Sequence, residues 1–283
     1  MPLSDLAQAG NSAQSGLVKI NRSLSENFNK LSSGRRINKA ADDAAGLSVA
    51  EMMSSRVRGL DQAVRNVSEG SAMLRTAEGG LSQISDMLIR GKELAVQASN
   101  GTLSPQQRET INNEFSQIMQ EIDRTAGNTE FNGQKLLTGE MGTGAVQQMA
   151  IQAGADGGES NRIGVATVEP ATTQSMGLSG ANLDNPQNAR VAMNALDSAI
   201  GQVSQSRANI GALGNRLDST ISNLAVNREN LAAAEGQIRG LDYAEETSSL
   251  ARNEALFGAG IKTLQEVLKS QQTLIGSLLN TAA

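Results

Sequence analysis

Few residues of this chain could do chemistry, and their types narrow that chemistry sharply. Asp42 and Asp43 stand side by side, and paired carboxylates can hold a cation or trade a proton. Adjacent side chains diverge, however, and a calcium loop needs several correctly spaced oxygens. The pair reads instead as a structural cap for a helix that begins near Ala44. Asn21, Asn66 and Asn100 each open an Asn-X-Ser/Thr triplet, the N-glycosylation acceptor pattern. Such triplets arise often by chance in an Asn- and Ser-rich chain, and the first two fall on expected helices. There is no His and no Cys. That removes imidazole bases, Ser-His-Asp and Cys-His nucleophiles, and zinc sites built from either residue. Catalysis by carboxylates alone would need a pocket, and no acidic pair is flanked by signs of one. The chain is read as no enzyme, with no catalytic residue, no metal and no cofactor.

The elements that would position any site are unusual. Aromatics make up 2% of the 283 residues, with four Phe, one Tyr and no Trp. Hydrophobic residues are 39%, mostly Ala, Leu, Ile and Val, a mixture suited to narrow seams between helices rather than a broad interior. The ten Met residues read as adaptable seam filling. Net charge is −5 with scattered Lys and Arg, so neither nucleic acid nor an anionic membrane surface is an expected partner. No apolar run reaches the ~18–20 residues of a membrane span. Residues 1–10 (MPLSDLAQAG) lack the basic and apolar regions of a cleaved signal, so export would need another route.

Leu17, Ile20, Leu24, Phe28 and Leu31 recur at steps of three and four, which predicts a first helix over roughly residues 12–31. Gly34 follows as a left-handed cap. A second stripe runs through Val57, Leu60, Val64, Val67, Leu74, Leu81 and Leu88, with Ser71, Glu78 and Ser85 in weaker places. It predicts a coiled-coil seam, weakened at Gly79-Gly80 and Gly91. Ser104-Pro105 starts a third helix with a good N-cap and a Pro in its first turn, and this helix shows Ile111, Phe115, Ile118 and Ile122. Gly and Thr then become frequent. Val146, Met149 and Ile151 precede residues 154–159 (GADGGE), and Ile163, Val165 and Val168 follow, which predicts a β-hairpin or small sheet.

After Asn185-Pro186 the helical pattern returns. Leu196, Val203, Ile210, Leu217, Leu224, Leu231 and Ile238 recur every seventh position, with Ile200 and Ile221 among their partners. Such a register demands a helical partner along a length of about 60 Å. A last stripe comprises Phe257, Ile261, Leu264, Leu268, Ile275 and Leu278. The chain is therefore expected to be mainly α, a long antiparallel coiled-coil rod formed by its N- and C-terminal regions, with a small β-hairpin-containing middle. The terminal stripes, which nothing nearby in sequence covers, predict self-association.

The same segments resemble bacterial flagellin. Residues 31–47 (LSSGRRINKAADDAAGL) look like that family's signature between its first two helices. Residues 93–97 (ELAVQ), 121–124 (EIDR) and 131–133 (FNG) fit it too. So do residues 207–212 (RANIGA), 215–217 (NRL) and 242–246 (DYAEE) in the returning half. The resemblance implies a filament of stacked subunits used for motility, with residues 1–40 and 251–283 forming an inner tube. Residues 41–140 and 186–250 would form the surrounding rod, and 141–185 its hairpin segment. With so short a middle, this looks like a minimal flagellin with little or no outer domain. The resemblance further implies secretion, unfolded, through the flagellar export apparatus with an export chaperone, and partners among the filament cap and hook-junction proteins.

Arg90, Leu94 and Glu114 match positions that the toll-like receptor sensing flagellin reads in many relatives. A structural role, with Leu94 packed and both charges solvated, is compatible with that. The alternatives are a hook–filament junction protein, which shares the terminal architecture, a specialised minor filament protein, and a cytoplasmic helical signalling rod. The opening MPLSDLAQAG and the closing SLLNTAA depart from the family pattern and keep the minor filament protein in view. The RINKAADDAAGL stretch favours flagellin over the junction protein, and the β-rich middle is not what a signalling rod needs.

Overall fold

A computed structural model describes residues 3–139, 149–165 and 169–281, with only the backbone given at 3–7 and 277–281. Val146 and Val168 therefore lie outside the described residues, and so does the side chain of Leu278. The element order is α1 (Leu3–Ser33), α2 (Ala44–Ala98), α3 (Pro105–Asn128), β1 (Glu130–Phe131), β2 (Gln134–Lys135), β3 (Ala150–Gln152), a 3-10 turn (Glu159–Asn161), β4 (Arg162–Gly164), α4 (Pro186–Arg239) and α5 (Tyr243–Thr281). The fold is mainly α, as the periodicities predict, and among the described residues it holds two small antiparallel hairpins, of which the sequence pattern predicts only β3–β4. Two compact units are present, one of Met1–Ser55 with Asn230–Ala283 and one of Arg56–Glu229.

In the first unit α1 and α5 pair antiparallel. Gly10 lies beside Val267, Leu17 beside Gly260, and Lys30 forms an ion pair with Glu246 at 3.9 Å. Gly34 leaves α1 with φ +65°, under the ring of Tyr243, whose hydroxyl oxygen lies 2.7 Å from where a Cβ would stand. A side chain there would be strained and would also collide. The chain then pairs with the α4–α5 connection. The Arg36 N–H donates to the Arg239 carbonyl at 2.8 Å, and its guanidinium donates to the Ile238 carbonyl at 2.8 Å. The Asp42-Asp43 pair is structural. Asp42 Oδ2 accepts from the backbone N–H groups of Asn38 and Lys39, both at 3.0 Å, and Asp43 Oδ1 accepts from the Gly46 N–H at 2.9 Å. The second aspartate thus satisfies a free donor in the first turn of α2.

In the second unit α2 and α4 run antiparallel, tied by Asp61–Arg228 at 3.1 Å, Glu78–Arg207 at 2.9 Å, and Lys92–Asp197. Helix α4 buries Ala192, Leu196, Ala199, Val203, Ser206, Ile210, Leu213 and Leu217 at alternating steps of four and three. The expected heptad row is one half of this seam. Its partners are the small residues and Leu213, while Ile200 and Ile221 are only half-buried flanks. Helix α2 likewise pairs its Leu60, Val67, Leu74, Leu81 and Leu88 row with Ala63, Ala77 and Ile84, not with Val64, Glu78 and Ser85. Ser71, another of the expected weaker places, is buried beside this row, and Ser206 is buried on α4.

Helix α2 is unbroken through Gly79, Gly80 and Gly91, although only Gly80 of the three is tightly faced by neighbours. At Gly91 a Cβ would stand 3.4 Å from the fully buried Phe115 of α3 and 3.6 Å from Leu196 of α4, ordinary packing distances. At Gly80 a Cβ would stand 2.5 Å from Thr129 Oγ1 and 2.9 Å from Leu137 Cδ1. Thr129 cannot turn away cheaply, since its hydroxyl donates to the Thr125 carbonyl at 2.7 Å. Helix α3 opens with Ser104 and Gln107 in a reciprocal capping box and Pro in the first turn. Asn132 and Gly133, both at positive φ, join β1 to β2, the two-residue hairpin geometry that Asn-Gly favours. In the second hairpin Ile151 sits opposite Ile163, and both are buried.

Two outcomes follow from these contacts. Gly79→Ala, on an open face, should raise stability by about 0.5–1 kcal/mol through helix propensity. Gly80→Ala should lower it by about 1–3 kcal/mol by overpacking against Thr129 and Leu137, and urea unfolding of the two variants should differ in sign. The second outcome concerns acid. The N–H bonds from Asn38 and then Lys39, aided by the charges of Lys30 and Lys39, hold the Asp42 carboxyl below its ordinary value. A depressed folded pKa contributes stability that is present above the unfolded value of about 3.9 and lost as pH falls through the folded value. Acid unfolding below about pH 4 should therefore lose that component in Asp42→Ala, as monitored by circular dichroism.

Candidate assembly surfaces

The α1–α5 pair follows one strict rule of spacing. On α1 the inward positions are Gly10, Ala13, Leu17, Ile20, Leu24, Asn27, Leu31 and Gly34, and on α5 they are Leu250, Asn253, Phe257, Gly260, Leu264, Val267, Gln271 and Leu274. Steps of three and four alternate throughout, as a two-helix seam requires. Each sequence-derived terminal stripe is thereby divided. Leu17, Ile20, Leu24 and Leu31 face α5, and Phe257 and Leu264 face α1. Phe28, Ile261, Leu268 and Ile275 stand outside, with Phe28 55% and Leu268 50% exposed, and Val18 and Leu256 are exposed beside them. The two helices cover each other's inward members, most of which stay half-buried. The outward members form a flank one residue beyond the seam, since Ile261, Leu268 and Ile275 each follow Gly260, Val267 and Leu274.

A seam polar pair went unnoticed in the sequence. Asn27, 6% exposed, accepts through Oδ1 from Asn253 Nδ2 at 3.4 Å. The signal was available, because Asn27 also stands three residues after Leu24 and four before Leu31. Choosing apolar residues alone selects Phe28 and passes over it.

In the second unit Leu196, Val203, Ile210, Leu217 and Leu224 are buried on α4. Leu231 and Ile238 belong to the first unit, where they are half-buried. Arg90 and Glu114 are brought together on the surface. The Arg90 guanidinium donates to Glu114 at 2.8 Å and to Glu93 at 3.0 Å. Hydrogen bonding to Glu114 first, then to Glu93, holds the Arg90 pKa above its ordinary value. Leu94, from the same sequence-derived trio, points inward and is 2% exposed. Arg108 was also missed. Its buried guanidinium donates to the carbonyls of Ala98, Asn100 and Leu103, closing the C-terminus of α2 and the turn into α3. Along α3, Asp123 accepts from the Thr173 N–H and hydroxyl at 2.8 and 2.7 Å, and Asn112 accepts from the Leu183 N–H at 2.7 Å.

Among the described residues no helix is long and apolar enough to cross a membrane. The surfaces that remain are flanks of helix pairs, with apolar rows at heptad spacing suited to further helices.

Comparison with known proteins agrees with this architecture. Residues 6–141 match the bacterial flagellin N-terminal helical region, and residues 193–279 match the bacterial flagellin C-terminal helical region. The flagellar filament 33 kDa core protein of Treponema phagedenis is 39% identical over 274 residues, covering 94% of this chain and 96% of that protein. Flagellin FlaB2 of Treponema pallidum is 38% identical over 277 residues, with the same shares covered. A crystal structure of Bacillus cereus flagellin is 31% identical, with a TM-score of 0.49, over 60% of this chain and 94% of that one. With both helical regions matched in order and nearly the full length aligned, the chain belongs to the bacterial flagellin family.

Proposed function

We propose that this chain is a structural subunit, and no enzyme, that polymerises with copies of itself into the bacterial flagellar filament used for motility. The observation that carries the proposal is the divided stripe: α1 and α5 cover one face of each other and leave Phe28, Ile261, Leu268 and Ile275 for neighbouring helices. Residues 1–40 and 251–283 are assigned to the inner tube, 41–140 and 186–250 to the surrounding rod, and 141–185 to its hairpin segment. The absence of Cys suits a chain that is exported unfolded and refolds without oxidation. Secretion through the flagellar export apparatus with an export chaperone, and contact with the cap and hook-junction proteins, complete the assignment. A host toll-like receptor is assigned to the surface around Arg90 and Glu114, with Leu94 holding that surface in place from beneath.

The decisive experiment is seeded polymerisation followed by electron microscopy. Leu268→Asp changes an exposed flank, so the soluble monomer should keep its stability within about 0.5 kcal/mol. It should nevertheless fail to extend seeds, because the new charge would be buried without a partner. A proteolytic core of roughly residues 40–250 should behave likewise, folded yet unable to extend seeds. Long uniform tubes from either would overturn the assembly assignment.

The receptor assignment is tested separately with soluble monomer. Arg90→Ala or Glu114→Ala should weaken signalling at least about tenfold, as loss of an interface anchor does, with helicity intact. Unchanged signalling in both variants would move recognition elsewhere.

A further inference from the structure

We propose that Asn27 and Asn253 form a polar layer that fixes the register in which α1 pairs with α5. The two amides meet where the adjoining seam members are apolar, with Asn253 Nδ2 donating to Asn27 Oδ1 at 3.4 Å. Leu24 and Leu31 flank the layer on α1, and Leu250 and Phe257 flank it on α5. Among the described residues, Asn27 is the buried polar side chain of this helix pair, whose other inward members are half-covered.

Apolar rows alone leave such a pair free to slide. The seam residues are similar in kind from turn to turn, and a shift of seven residues restores the same alternation of threes and fours. The amides break that degeneracy. A slip of one heptad in one sense sets Asn27 against Gly260 and Asn253 against Gly34. In the other sense Asn27 meets Glu246 and Asn253 meets Ile20. Every slip separates the amides: one sense sets both against glycines, and in the other Glu246 could accept from Asn27 but Asn253 is left against Ile20 without a partner. The Lys30–Glu246 ion pair, near the end of the same seam, favours the same register, but its 3.9 Å separation and partial exposure make it the weaker constraint. A buried Asn at a seam position is a well-attested device for fixing helix register. What it determines here, on the assembly reading above, is which turns of the pair present Phe28, Ile261 and Leu268 to a neighbour.

The chain contains no Cys, so an introduced pair reports register without background. In full-length monomer at high dilution, Leu17→Cys with Gly260→Cys reports the native register, because Leu17 Cγ lies 3.3 Å from a Cβ at Gly260. Leu17→Cys with Val267→Cys reports a slip of one heptad. Under diamide oxidation the first pair should close at least about tenfold faster than the second, the ratio expected for stranding a buried amide. With Asn27→Leu and Asn253→Leu added, that ratio should fall to about threefold or less, while helicity is kept or increased. An unchanged ratio overturns the proposal. Should the Leu pair aggregate, Asn27→Asp with Asn253→Lys decides the matter: a matched polar layer keeps the native preference, and its loss overturns the proposal. The readout is taken on monomer, so it stands whether or not the chain extends filaments. Failure to polymerise with the register intact would count against the assembly assignment alone.

Discussion

The structure depends on one constraint: each long helix carries its apolar side chains on a strip too narrow to make an interior. Such a strip is covered only by another helix lying along it, and the cover holds only where steps of three and four alternate on both partners. Everything else answers to this. Ala and Ser on the second row of α4 let a neighbour come close. Gly80 on α2 admits Thr129 and Leu137 between turns. Buried Arg108 ends α2 where the seam ends, by occupying three carbonyl groups that no helical N–H reaches.

The second unit shows how a chain with four Phe and no Trp fills space. One aromatic ring, Phe115, sits at the junction of α2, α3 and α4, where it and Leu196 both lie against Gly91. Elsewhere large Leu and Ile alternate with Ala along the buried rows of α2 and α4. The segment of residues 169–183 is not a free loop. Leu178 and Leu183 are buried, and Asp123 and Asn112 hold its backbone N–H groups, so a turn-rich stretch is fastened along α3.

Much of this was legible in the sequence, and the exceptions have physical causes. Ser104-Pro105 marks the start of α3 because a side-chain acceptor and a missing donor are both what a helix N-terminus needs. Ile151 and Ile163, on either side of an Asp-Gly turn, gave the hairpin away. The heptad row from Leu196 to Leu224 could be read because one row of large residues is enough to fix a helix face. Its partners could not, since Ala is uninformative about burial. Positions 27 and 28 show the same limit from the other side. Both fit the spacing, and choosing between them needs the identity of the facing helix, which lies 226 positions away. Asn132-Gly133 was legible as a hairpin turn and was passed over, because the strands beside it are only two residues long.

The neighbouring pair Asn27 and Phe28 inverts the usual division, with the amide inside and the ring in water. A helix pair built this way is suited to two surroundings, dilute solution and the company of other helices. Removing the Phe28 ring and its companions on α5 from water would release ordered solvent and lower the heat capacity. On the assembly reading, subunit addition would then be driven by entropy near room temperature and would weaken on cooling. Cold alone, with no change in salt or pH, would loosen the contact that these flanks make.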